Sequence, residues 1–144
     1  MKTNDLNLLS YCGLYCGACS FKVAFQEQNR GHLFAMPQKY AKYKDIKLED
    51  CAGCRVDDGC GECQIRKCAM EKTLTHCGEC VDFPCKKLDD FSSDGVPHHF
   101  EIIENIKNIQ EDGINRWFDD QKSKYQCSCG KKLSWYAKSC IHQK

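Results

Sequence analysis

The sequence lacks the features that mark membrane-spanning, secreted and general nucleic-acid-binding proteins. No stretch approaches the roughly 18 apolar residues that a membrane span requires, so we expect no membrane partner. The amino-terminal segment MKTNDLNLLSYC contains no apolar run of signal-peptide length, which favours a cytoplasmic location. A formal net charge of +1 weighs against a general binder of nucleic acid or membrane surfaces, because such proteins usually carry a large basic excess.

Motifs for common catalytic mechanisms are also missing. We find no paired carboxylates, no serine-centred nucleophile motif and no glycine-rich loop for phosphate, and the glycines near Gly17 do not have phosphate-binding spacing. The sequence therefore names no substrate and no reaction, and it leaves open whether the protein is an enzyme.

Cysteine, by contrast, is abundant, with 14 in 144 residues. A chain of this length can bury a core without covalent help, so the cysteines are not needed to stabilise a very small scaffold. In a reducing cytoplasm, clustered cysteines act as metal ligands or redox groups rather than as disulfides. We therefore predict metal binding, most simply of zinc.

The central cysteines contain three C-x2-C pairs, a spacing that lets two sulfurs turn toward one zinc ion. Two further cysteines follow as singles, and the frame C-G-E-C-x4-C occurs twice at an offset of 17 residues, which indicates two similar metal-binding turns. Eight sulfurs suffice for two tetrahedral sites, and the spacing leaves their pairing open. The predicted ligands are Cys51, Cys54, Cys60, Cys63, Cys68, Cys77, Cys80 and Cys85.

An amino-terminal triplet, Cys12, Cys16 and Cys19, offers three ligands and leaves one metal position open. One interpretation is a zinc site completed by a histidine, and another is an open site for substrate, water or labile iron. An iron–sulfur cluster on the same three sulfurs is a further alternative. The histidines considered as fourth ligand are His32, His76, His98 and His99.

The carboxyl-terminal segment, residues 125–144, has the pattern of a shortened zinc ribbon, with two close cysteines, a Gly-Lys turn and a β-prone stretch. Its predicted ligands are Cys127, Cys129, Cys140 and His142, although C-x-C and C-x-H spacings are tighter than usual. Residues 113–144 hold seven basic and two acidic side chains. Contact with nucleic acid through Lys131, Lys132 and Lys138 beside Trp135 and Tyr136 is therefore one hypothesis, and aromatics packed on the helical body are the alternative.

The cysteine-poor stretches predict helices. One or two amphipathic helices over 20–43 should break near Gly31, with Pro37 starting or kinking the second. A short helix is predicted over 65–74 and another from Cys85. Pro97 should open a helix with an apolar stripe, Gly113 should cap it, and a further helix should follow around Trp117. The predicted stripe comprises Phe100, Ile102, Ile103, Ile106 and Ile109.

These observations together predict a small α+β fold, mostly helical, with irregular metal-stabilised cysteine-rich loops and a C-terminal zinc-ribbon-like hairpin. The predicted division is a cysteine-rich metal-binding domain with a helical core at 1–126 and a ribbon-like module at 127–144 packed on it.

Several strings, including YCGLYCGAC at 11–19, CQIRKCAMEK at 63–72 and CGECVDFPCKKL at 77–88, point to one family. With these strings the chain resembles the cysteine-rich domain-of-unknown-function family 3795 of bacteria and archaea. The resemblance implies a zinc-binding cytoplasmic protein without an assigned activity. Gln143 stands where a regular ribbon would have its last cysteine, a departure that bears on the fourth ribbon ligand.

The leading functional hypothesis is a multi-zinc-binding protein with three or four structural ions that acts as a binding or adaptor module for a protein or nucleic acid. A metalloenzyme or iron–sulfur redox protein using the amino-terminal triplet is the first alternative. Nucleic-acid binding through the basic C-terminal ribbon is the second.

Overall fold

The computed structural model describes residues 6–49, 51, 53, 55 and 63–140, and these residues are mostly helical. The α-helices are α1 (Ser20–Glu27), α2 (Gly31–Phe34), α3 (Gln64–Glu71), α4 (Lys86–Ser92), α5 (Ile102–Asp112) and α6 (Ile114–Lys124). Short 3₁₀ helices occupy Cys16–Ala18, Gln38–Tyr43, Cys77–Glu79 and Pro97–Glu101. In the described ranges, none of the helices combines the length and the apolar character needed to cross a membrane.

Extended structure is sparse in the part of the chain that the structure describes. It consists of two isolated antiparallel bridges, Leu9 with Tyr15 and Gln126 with Lys132. The mostly helical character of the predicted fold is confirmed. The zinc-ribbon hairpin stays a prediction, because a single bridge pair stands where its strands were expected.

Turn residues divide the first helical stretch where the sequence predicts. Gln28 ends α1 in the left-handed conformation, with φ +50°, and its backbone N–H bonds to carbonyls of the last turn. Gly31 then begins α2, and Pro37 precedes the 3₁₀ helix Gln38–Tyr43. The predicted break near Gly31 and the predicted start at Pro37 are both confirmed.

The later helices also follow their predicted signals, with one exception. Pro97 opens a 3₁₀ helix that leads into α5, and Gly113, with φ +89°, stands between α5 and α6. Ile102, Ile106 and Ile109 are buried, but Phe100 is 58% exposed, so its place in the apolar stripe was wrong. Phe100 lies in the 3₁₀ segment, where three residues per turn replace the 3.6 on which the stripe was drawn.

The chain divides into two compact units. Unit 1 comprises Met1–Cys16 and Ala52–Asp120, and its buried side chains come from the amino-terminal segment as well as from helices α3, α4, α5 and α6. Tyr15 packs edge-on against Trp117, with ring centroids 5.9 Å apart. The largest fully buried side chains of this unit are Leu9, Leu88, Ile102, Ile106 and Trp117.

Unit 2 comprises Gly17–Cys51 and Gln121–Lys144. Its core forms around Ala24, Leu33 and Met36, with partly buried aromatic and aliphatic side chains packed on them. Trp135 is 8% exposed, and its backbone N–H donates to the carbonyl of Ala18 at 2.9 Å. The predicted boundary between residues 126 and 127 falls inside this unit and stays a prediction.

Candidate metal centre

A tight turn after α6 presents the first two C-terminal cysteines. The backbone N–H of Cys127 donates to the carbonyl of Lys131 at 2.9 Å, and that of Gly130 donates back to Cys127 at 3.0 Å. Gly130 adopts φ +94°, a conformation that side chains rarely tolerate. The bridge between Gln126 and Lys132 closes the turn. The Gly-Lys turn of the sequence therefore reverses the chain and aims both cysteines to one side.

Three sulfurs converge at this turn. The Sγ atoms of Cys127, Cys129 and Cys140 all lie within 4.8 Å of one another, and those of Cys127 and Cys129 are 3.2 Å apart. Ligands about 2.3 Å from a tetrahedral zinc ion lie about 3.8 Å from each other, a separation between the 3.2 Å of Cys127 and Cys129 and the 4.8 Å within which all three sulfurs lie. We call these three residues the C-terminal thiol group. They can hold a metal ion, as the sequence predicts, although the type and number of ions are a separate question.

The three cysteines of the C-terminal thiol group differ in their exposure to solvent. Cys127 is 2% exposed, Cys140 is half-buried and Cys129 is exposed. The backbone N–H of Cys129 lowers the pKa of Cys127, but burial and the sulfurs of Cys129 and Cys140 outweigh it, so this pKa is raised. A divalent cation would favour the thiolate forms, which is why metal binding to such a group releases protons.

Glu27 of α1 ties this turn to the helical part of unit 2. Its Oε2 accepts the backbone N–H of Lys132 at 2.8 Å, and the Lys132 ammonium donates to Gln26 at 3.1 Å. The pKa of Lys132 is lowered, chiefly because its ammonium is partly desolvated although the residue as a whole is exposed. These contacts hold the residue that closes the cysteine turn. Hydrogen bonds of this kind orient the ligands of a metal site without touching the ion.

A buried histidine, His32, is hydrogen-bonded to the same glutamate, Glu27. His32 is 0% exposed, its Nε2 donates to Glu27 Oε1 at 2.8 Å, and its Nδ1 is hydrogen-bonded to Ser134 Oγ at 2.8 Å. Both ring nitrogens are thus engaged, so His32 offers neither to a metal in this arrangement. The order serine–histidine–carboxylate matches a catalytic triad, but Ser134 is also 0% exposed, and no substrate can reach its hydroxyl. The network is structural.

Sequence reasoning missed this network. The glutamate, histidine and serine are separated by as many as 107 positions, and none belongs to a recognisable motif. The nearest signal in the sequence is His32 itself, directly before Leu33 and Phe34, and the sequence identifies it only as a candidate metal ligand. Its actual partners depend on how the C-terminal segment returns to α1 and α2.

The aromatic side chains of the nucleic-acid hypothesis are packed into unit 2. Trp135 is buried, and Tyr136 packs against the cluster of Ala24, Leu33 and Met36. Lys131, Lys132 and Lys138 are exposed. Phosphate contacts remain compatible with these lysines, but base stacking on Trp135 does not, so the packed-aromatic alternative describes the structure better.

The amino-terminal triplet falls on both sides of the division into units. Cys12 and Cys16 belong to unit 1 and Cys19 to unit 2. Cys12 is 4% exposed, its Sγ lies 3.1 Å from Ser10 Oγ, and burial raises its pKa to about 11. Among the described residues, the group of three sulfurs within 4.8 Å of one another is the C-terminal one. An ion or cluster on the triplet stays a prediction.

The central cysteines flank helices. Cys68 lies within α3 and Cys85 precedes α4, as the sequence predicts, while Cys63 precedes α3 and Cys77 begins a 3₁₀ helix. The predicted ligands Cys54 and Cys60, and also His142 of the C-terminal pattern, lie outside the described residues. Cys51 belongs to unit 2, and Cys63, Cys68, Cys77, Cys80 and Cys85 belong to unit 1.

The remaining candidate histidines lie in unit 1. His76 Nδ1 accepts the backbone N–H of Gly78 at 3.0 Å, and burial lowers the pKa of His76. His99 Nδ1 lies 2.8 Å from a carboxylate oxygen of Asp94. Burial, followed by the charge of His99, lowers the pKa of His98 to about 3. Within the described ranges, none of these rings joins a group of three candidate ligands.

Comparison with known proteins gives one match. A family described as "Protein of unknown function (DUF3795)" matches residues 8–90. The chain matches no curated protein and no solved structure. The matched segment contains the amino-terminal and central cysteines but ends before the C-terminal thiol group.

Proposed function

We propose that this chain, which belongs to the DUF3795 family, is a zinc-binding protein in which the C-terminal thiol group holds a structural ion. The observation that carries this proposal is the convergence of three sulfurs within 4.8 Å at a turn held by hydrogen bonds. The family description assigns no activity, so the argument rests on this chain's own residues.

Zinc is the ion that this donor set favours. Thiolates are soft ligands that select zinc, copper(I) and iron–sulfur clusters over magnesium or calcium, and zinc commonly occupies sites of three cysteines with one histidine. His142, two residues beyond Cys140, remains our proposed fourth ligand. A cytoplasmic location, where thiols stay reduced, belongs to the same proposal, as does a total of three or four zinc ions.

A structural role follows from what surrounds the sulfurs. The turn is held by Glu27, Trp135 is buried in the same segment, and neither Ser134 nor His32 is exposed to solvent. Such a site stabilises a segment of about 20 residues that has too little core to order itself. We propose that the ordered segment serves a binding or adaptor module, whose partner is a protein or a nucleic acid contacted through phosphate.

The ligand assignment can be tested at Cys129, whose exposure means that replacement removes little packing. Cys129→Ser should lower the zinc content by one ion per chain, measured by native mass spectrometry of protein purified without chelators. Ser128→Ala, at the exposed position between the two cysteines, is the matched control and should retain the full count. An unchanged zinc count in Cys129→Ser would refute the site.

A further inference from the structure

Two cysteines that are distant in sequence are brought together in unit 1 by a backbone hydrogen bond. The N–H of Cys77 donates to the carbonyl of Tyr11 at 2.9 Å, and Tyr11 directly precedes Cys12. Cys12 is 4% and Cys77 8% exposed. The amino-terminal segment and the central cysteines therefore meet in a place from which water is largely excluded.

The side chain of Arg55 contacts both the amino-terminal segment and the segment before Cys77. Its Nε donates to the Leu9 carbonyl at 3.1 Å and its terminal nitrogen to the Thr75 carbonyl at 2.5 Å. The guanidinium also lies 4.1 Å from the centroid of the Tyr11 ring. One side chain thus binds the backbone three residues before Cys12 and two residues before Cys77.

In the turn that carries Cys77 and Cys80, hydrogen-bond donors point at the Cys80 sulfur, as they do at the ligands of many metal sites. Cys80 Sγ accepts the backbone N–H of Asp82 at 3.4 Å and the ammonium of Lys72 at 3.4 Å. The first of these contacts aims a backbone dipole at the sulfur, and the second brings a positive charge. Hydrogen-bond donors of this kind orient a sulfur that ligates a metal.

Gly78 lets this turn lie against α5. A Cβ at that position would stand 2.6 Å from Ile106 Cγ2, too close for any larger residue without rearrangement. Gln110 of α5 also donates to the Gly78 carbonyl at 2.8 Å. The glycine of the C-G-E-C frame therefore holds the cysteine turn against a buried helix.

The sulfurs that act electrostatically on Cys77 come from several segments of unit 1. Burial, followed by the sulfurs of Cys12, Cys85, Cys68 and Cys80, raises the pKa of Cys77 to about 12. Burial likewise raises the pKa of Cys12, to which Cys63 also contributes. We call the six residues Cys12, Cys63, Cys68, Cys77, Cys80 and Cys85 the unit 1 thiol group; none of them is in a disulfide.

Thiolates crowded in this way repel one another unless a cation lies between them. In the described residues no three of these sulfurs lie mutually within 4.8 Å, so ligation requires rotation of cysteine side chains toward a common point. Four of the six are only half-buried, which leaves room for that rotation.

We propose that unit 1 contains a second thiolate metal site, distinct from the C-terminal thiol group, in which Cys12 and Cys77 ligate the same soft divalent cation. The remaining ligands come from the other cysteines of the unit 1 thiol group. Cys12 thus completes the central cysteines instead of sharing an ion with Cys16 and Cys19. This proposal does not depend on the C-terminal site, because the two involve different residues.

The direct test uses the wild-type chain loaded with an NMR-active cadmium isotope as the zinc substitute. Through-bond correlations from cadmium to the β-protons of its ligands should connect one ion to both Cys12 and Cys77. Signals linking that ion to Cys77 but not to Cys12, or no cadmium signal on either residue, would overturn the proposal. Signals on Cys127, Cys129 and Cys140 report separately on the C-terminal site.

Substitution gives a second, independent measurement. Cys12→Ser should lower the zinc count by one ion per chain, whereas Cys16→Ser should leave it unchanged. The two cysteines are matched, since both are buried, at 4% and 2% exposure, in the same short segment. Equal loss of zinc in both variants would favour the triplet and overturn the proposal, as would retention of the full count in Cys12→Ser.

Discussion

The two thiol groups of this protein are assembled in different ways. The C-terminal thiol group takes two of its three sulfurs from positions two residues apart in one turn, and those sulfurs lie 3.2 Å apart. The unit 1 thiol group draws on an amino-terminal segment, α3, a 3₁₀ turn and the start of α4. The first group depends mainly on local geometry, and the second depends on helices being packed correctly.

A metal ion would therefore have a different structural effect at each of the two thiol groups. An ion on the C-terminal group would order a short segment, whereas an ion on the unit 1 group would link segments that are 65 residues apart in the chain. Closing a longer loop restricts the unfolded chain more, although the gain grows only slowly with loop length. The family match covers the second arrangement and not the first.

Paired glycine substitutions should give the largest contrast between the two regions. Gly13→Ala would place a Cβ 2.8 Å from the Ile102 carbonyl at φ +100°, whereas Gly130→Ala at φ +94° meets nothing within 4 Å. We expect Gly130→Ala to cost about 1–2 kcal/mol from backbone strain and Gly13→Ala about 2 kcal/mol more from the clash.

The free energy of unfolding in urea of the zinc-loaded protein measures both glycine variants. Equal destabilisation would mean that α5 can move away from the amino-terminal segment, and it would weaken the description of unit 1 as tightly packed.

Acid should weaken unit 1 through His98. Its folded pKa of about 3 lies below its ordinary value of 6.5, so the unfolded chain binds a proton that the folded chain does not as pH falls below 6.5. The stability contributed by neutral His98 is therefore present above pH 6.5 and is lost between 6.5 and about 3. The slope should approach about 1.4 kcal/mol per pH unit.

The readout is the free energy of unfolding between pH 7 and pH 5, compared with His98→Gln, which cannot titrate. The variant should show a shallower decline than the wild type. Parallel curves would exclude His98 as the source of the acid sensitivity.

The smallest effect is expected at the support of the C-terminal thiol group. Glu27→Gln preserves the shape of the side chain but removes the carboxylate that bonds His32 and the Lys132 backbone. Hydrogen bonds that orient ligands typically affect metal affinity by about 10-fold or more. We therefore expect zinc affinity at this group to fall about 10-fold, measured by competition with a chromophoric chelator.

Gln26→Ala is the control, since that side chain bonds only the exposed Lys132 ammonium among the contacts described above. Gln26→Ala should leave the zinc affinity within about twofold of the wild-type value, because surface substitutions usually have small effects. If Glu27→Gln behaves like this control, the carboxylate is not positioning the cysteine turn.

Much of the local structure was predictable. Pro37, Pro97 and Gly113 mark helix boundaries because their backbone requirements act over a few residues, and Cys85 precedes a helix as expected. Phe100 was misplaced because the chain there winds as a 3₁₀ helix, a choice that residue periodicity does not reveal. The partners of His32 were missed because they come from a distant segment.

Residue spacing and turn residues suffice to predict a cysteine-rich, mostly helical protein with a compact pair of cysteines at Cys127 and Cys129, because both signals act locally. That Cys140 joins this pair, and that the backbone next to Cys12 is hydrogen-bonded to Cys77, is visible from the folded chain alone. The reason is that a sulfur's neighbours depend on helix packing and long-range backbone hydrogen bonds, neither of which is encoded in the distance between cysteines along the chain.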